Sequence, residues 1–145
     1  MKTLLLTSMI FASLSYGTTY GANANDDGEK IVGSWKIESA RKGGQKPAGD
    51  AYTYITIVIT PEKLTMNVAD KPIAEMKYKL DAKHGWIDLT DVKSQGKHVS
   101  HGIYKLEGNE LKICYPESSS ERSTAFESKP NSANDVLWVL NRDKS

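Results

Sequence analysis

The chain has a single cysteine, Cys114, in 145 residues. One thiol cannot close an internal disulfide, so the fold must be held by its core. Cys114 lies inside the apolar stretch LKICY, which reads as a buried and inert position. Charge of one sign is also missing. Nineteen Lys and Arg oppose 18 Asp and Glu, a formal net charge of +1, and no block of like charge stands out. Nucleic acid and anionic membrane surfaces are bound by a concentrated basic face, so neither is an expected partner. No apolar run is long enough to span a bilayer, and none follows the helical period over a useful length.

Catalytic signatures are equally sparse. There is no G-x-S-x-G, and the serines at 118–120 form a low-complexity run. Glu107 and Glu110 flank an exposed turn, where a carboxyl has no reason to take the raised pKa of a general acid. Gly43-Gly44 lacks the Lys-Ser/Thr of a phosphate loop. His98 and His101 form H-x-x-H, with His84 in another loop. Off a helix, that spacing does not aim two rings at one metal ion. The expectation is a protein that is not an enzyme, with no catalytic residue, no metal site and no cofactor.

The N-terminus, MKTLLLTSMIFASLSYGTTYGANAN, carries one positive charge at Lys2, a short apolar segment diluted by Ser and Thr, and then Ala22-Asn23-Ala24. That is the layout of a secretory signal peptide cut after Ala24. Residues 1–24 are therefore expected to be a leader and 25–145 one domain with one modest core, secreted or periplasmic.

The period that recurs downstream is two. Candidate strands are GSWKIESA, YTYITIVIT (Tyr52–Thr60), KLTMNV, IAEMKYKL, WIDLT, the two arms of GIYKLEGNELKICY, and DVLWVLNR. In the first, Trp35, Ile37 and Ser39 share one parity. Thr60-Pro61-Glu62-Lys63 is a turn with Pro where its fixed φ fits, and Gly108-Asn109 suits a tight hairpin. Eight antiparallel strands in sequence, with no convincing helix, close naturally into an up-and-down barrel, which removes exposed edges. A two-sheet sandwich is the alternative. Two loops are long, 41–51 and 116–134.

With GSWKIESA, GWIDLTDV, GKHVSHGIYKLEGNELKICY, ERSTAFESKP and VLWVLNR in that order, the chain resembles a group of small, secreted, functionally uncharacterised bacterial proteins described as lipocalin-like. The resemblance spans nearly all of residues 25–145 and departs at Ser123, where that group usually has Pro. It implies an all-β, eight-stranded antiparallel lipocalin-like barrel. Gly33-Ser34-Trp35 fits the G-x-W with which lipocalins open. The resemblance then implies that Arg142 is the basic residue packed across Trp35, a contact worth about 0.5–2 kcal/mol. Gly33, Trp35 and Arg142 would be structural.

By parity, Trp35, Tyr54, Met76, Tyr78, Tyr104 and Tyr115 could face the interior. Buried tyrosine hydroxyls need partners, which implies either a mutual network or a pocket with polar tips. An eight-stranded barrel can be filled by side chains or can hold one small ligand, and both remain open from sequence. In the ligand reading, a small hydrophobic or amphipathic molecule is bound by those residues. Arg122 offers a charge, and Phe126 sits in a loop able to cap the barrel mouth. The other reading is a protein-interaction module, or an inhibitor of an exported enzyme, acting through the 116–134 loop.

Overall fold

The computed structural model describes residues 26–49, 51–130 and 134–144. The expected leader and its cut after Ala24 lie outside the described residues. The elements in chain order are α1 (Asp26–Lys30), β1 (Gly33–Lys42), β2 (Ile55–Ile59), β3 (Lys63–Val68), β4 (Lys71–Asp81), β5 (Trp86–Asp91), β6 (Val99–Glu107), β7 (Glu110–Pro116) and β8 (Asp135–Arg142). Short 3-10 turns occupy Ala51–Tyr54 and Val92–Ser94.

Each strand pairs antiparallel with the next, and β8 pairs back with β1, so the sheet closes into an eight-stranded up-and-down barrel. The sandwich alternative is thereby excluded. Alternation sets what lies inside. Trp35 and Ile37, Ile57 and Ile59, Leu64, Ile87 and Leu89, Tyr104, Leu111 and Ile113, and Val136, Trp138 and Leu140 meet in one buried cluster. Met76 and Tyr78 of β4 pack against it, so all eight strands contribute. An eight-stranded barrel is narrow enough for such side chains to fill.

One end of the barrel is closed. Helix α1 lies across it, Ile31 is buried, and the Trp35 Nε1 donates to the Ile31 carbonyl at 2.9 Å. The Arg142 guanidinium stacks over the Trp35 ring at 4.3 Å, the contact that the G-x-W resemblance implied. Arg142 also donates to the carbonyls of Val32 and Lys30. At the other end are the connections after β1, β3, β5 and β7.

Three details depart from the sequence reading. Residues 26–30 form a short helix, where no helical period was visible. The pairing of β1 with β8 slips between Ile37 and Ser39. This bulge moves Ala40 opposite Trp138, against the core, and takes Ser39 off the inward parity. The second strand starts at Ile55 and not at Tyr52. Its inward parity is Ile55, Ile57 and Ile59, and Tyr54 falls in the preceding 3-10 turn with 72% of its surface exposed. The expectation that Tyr54 faces the interior is therefore corrected: the turn points it into solvent.

Candidate binding clefts on the outer wall

The 116–134 loop does not lie over the barrel mouth. Its described part folds back as a strap against the outside of β5, β6 and β7, and the reason is a gap in the ladder. The last residue of β7, Pro116, has no N–H to donate. The His101 carbonyl, which the register continued past the Ile103–Cys114 pair places opposite Pro116, is then taken by the strap: Ser123 N–H donates to it at 3.1 Å, and Arg122 Nη1 donates to the neighbouring Gly102 carbonyl at 2.7 Å. Proline at Ser123 could not make the first of these bonds. Cys114 has outward parity but is fully buried, because the strap covers it; its thiol donates to the Glu127 carbonyl at 3.5 Å. Burial pushes that thiol's pKa up, so the thiol stays protonated and unreactive.

Arg122 is the clasp. Its Nη2 donates to Asp88 Oδ1 at 2.8 Å, and its guanidinium lies 4.5 Å from the centre of the Trp86 ring. Asp88 Oδ1 also sits 2.9 Å from His101 Nδ1, on the neighbouring strand where the register places the two residues opposite each other. Burial works against the charged Asp88 carboxylate, but the bonds from His101 and Arg122 outweigh it and hold the carboxyl below its ordinary range. His84 stacks on Trp86 at 4.4 Å between ring centres.

Of the clefts around this clasp, two lie against the β4–β6 wall. The first, of about 490 Å³, lies between wall residues His84, Trp86 and Ile103 and strap residues Arg122, Ser123, Thr124 and Phe126, with Gly85 and Tyr104 completing its edge. The second, of about 630 Å³, opens over β4–β6 and the turn before β3. It is bounded by Pro61, Glu62, Lys77, Tyr78, Lys79, Asp88, Thr90, Val99 and His101. Its size falls in the range of small-molecule sites.

The residues singled out in the sequence thus separate. Tyr104, Arg122 and Phe126 share the first cleft, and Tyr78 borders the second. Trp35 plugs the closed end. The Tyr78 hydroxyl donates to the Thr60 carbonyl at 2.6 Å, and the Tyr104 hydroxyl donates to Asp27 Oδ2 at 2.6 Å. Burial raises the pKa of both, and for Tyr104 the Asp27 carboxylate adds to the effect. These hydroxyls satisfy the protein's own groups. Met76 packs on the core cluster, and Tyr115, buried inside, meets Trp138 edge to face at 5.4 Å. Tyr54 belongs to neither cleft.

Trp86, Asp88, Lys77, Lys79 and His101 were missed as a unit, although alternation alone puts Trp86, Asp88 and Thr90 on one face of WIDLT. Among the described residues, no group of three or more His, Cys, Asp or Glu converges as a metal site. No helix among them is long and apolar enough to cross a membrane. No protein-family model, no curated protein and no solved structure matches the chain.

Proposed function

We propose that this chain is an exported, non-catalytic binding protein, a lipocalin-like barrel that takes one small, partly apolar molecule. The observation that carries this reading is the 630 Å³ cleft on the β4–β6 wall, where Val99 and Pro61 supply apolar surface beside polar groups. The ligand is assigned to this wall and not to the interior, because Trp35, Ile57, Leu64, Ile87, Ile113 and Leu140 fill the barrel's axis with buried side chains. Native mass spectrometry of protein purified from its own host should show a bound mass. A panel of lipids and aromatic compounds should raise the melting temperature, and Thr90→Trp, which fills the cleft, should abolish the rise. A bare chain with no thermal shift overturns the reading, and so does a shift that survives Thr90→Trp.

A second reading, a protein-interaction module acting through the 116–134 loop, is favoured by one feature: Trp86, 39% exposed, stands beside Phe126 at the strap cleft. Replacing Phe126 and Thr124 with serine and glycine should spare binding at the β4–β6 cleft and abolish capture of a protein partner. If partner capture is unaffected, the strap is not the contact.

A further inference from the structure

Resting on the β4–β6 cleft as the ligand site, we infer that its ligand is an organic anion: an apolar body carrying a carboxylate, sulfonate or phosphate held by Lys77 and Lys79, with His101 as a further polar contact. The two lysines stand on the outward parity of β4, on either side of the cleft residue Tyr78. Across the next strand, Lys77 is opposite Thr90 and Lys79 opposite Asp88, and both of those residues border the same cleft.

What marks these lysines is that neighbouring acids are already committed. Asp88 Oδ1 is bonded by Arg122 and His101. Glu75 pairs with Lys63 at 3.1 Å. Lys77 and Lys79 make no ion pair among the described residues. On its other side, Lys77 lies directly opposite Lys63 in the ladder. Like charges facing each other across a ladder cost stability, and the arrangement keeps positive charge at the cleft. His101 Nδ1 is held by Asp88, which leaves Nε2 as the ring's second polar atom at the cleft. One negative group opposes the set: Glu62, exposed on the turn at the cleft's edge.

A matched pair of probes separates charge from shape. 1-Anilinonaphthalene-8-sulfonate carries the anion, and N-phenyl-1-naphthylamine has the same rings without it. Fluorescence titration of the wild type should give tighter binding of the sulfonate by about three- to tenfold, the sum of two partly exposed ion pairs. Amide chemical-shift changes should map to β4–β6. Lys77→Gln with Lys79→Gln should erase that preference and leave N-phenyl-1-naphthylamine binding unchanged, whereas Glu62→Gln should tighten sulfonate binding. Equal affinity for the two probes at β4–β6 overturns the anion inference and leaves the cleft reading standing. Shift changes elsewhere, or binding of neither probe, overturn both.

Discussion

The Arg142 guanidinium stacks 4.3 Å from the centre of the Trp35 ring. The stack explains the glycine two residues before Trp35. A Cβ on Gly33 would sit 2.8 Å from Arg142 Nη1, and the Gly33 backbone has φ +142°. Gly33→Ala should therefore displace the guanidinium and strain the backbone, at a cost of about 1–3 kcal/mol. Arg142→Lys keeps the charge but loses the fork that reaches the Val32 and Lys30 carbonyls, and should cost about 1–2 kcal/mol. Urea unfolding midpoints measure both. An unchanged midpoint in both variants would mean that the stack does not stabilise the closed end.

The strap should act as a gate on the buried thiol. In the wild type, Cys114 should react slowly with an aromatic disulfide reagent. Arg122→Gln removes the bonds to Asp88 and the Gly102 carbonyl. Losing about 1.4 kcal/mol of strap attachment would speed the reaction about tenfold. Equal rates in the two proteins would show that the strap stays closed without its clasp.

Acid should loosen the same contact. The folded Asp88 carboxyl lies below its ordinary range, with burial opposing and His101 and Arg122 lowering. Its contribution is therefore complete above the ordinary carboxylate pKa of about 4 and is lost as pH falls through the lower folded value. Asp88→Asn should be less stable than the wild type at pH 6, and the gap should close below about pH 4. A gap independent of pH would remove the carboxylate charge from the account.

Alkali should act through the buried phenols. Burial raises the pKa of Tyr104 and Tyr115, helped at Tyr104 by Asp27 and at Tyr115 by Glu117. Both stay neutral in the fold while their unfolded counterparts ionise near pH 10, so stability is complete below that pH and falls as pH rises above it. Comparing urea midpoints from pH 8 to pH 11 should show a shallower decline in a Tyr104→Phe, Tyr115→Phe protein. Parallel declines would assign the alkaline loss to other groups.

Gly102 sets how closely β6 approaches β7. An added Cβ would lie 2.6 Å from the Cys114 carbonyl oxygen and 2.9 Å from Tyr115 Cβ. The first contact is with backbone and cannot rotate away, so Gly102→Ala should destabilise by about 1–3 kcal/mol or more. Gly28→Ala, which meets nothing within 4 Å, serves as the control. Circular dichroism melts of the pair decide it: similar melting temperatures would show that the ladder yields freely.

Strands with strong alternation were legible in the chain, because burial on one face leaves a period of two that composition alone reveals. In β4, Met76 and Tyr78 face the core while Lys77 and Lys79 face out, as the pattern required. Tyr54 was not legible, since the run YTYITIVIT is β-branched or aromatic on both parities. The bulge after Ile37 was hidden too, because a one-residue slip is fixed by β8 pairing and not by β1 itself.

The sequence by itself determined the eight strands, their order and the Gly33-Trp35 opening, because these depend on local alternation and turn chemistry. Only the tertiary structure decided where the chemistry gathers. Asp88, His101 and Arg122 come from β5, β6 and the strap: the β5–β6 register sets Asp88 opposite His101, and Arg122 joins them because the chain after Pro116 folds back onto the open His101 carbonyl. Such a meeting depends on long-range register, which no local pattern records.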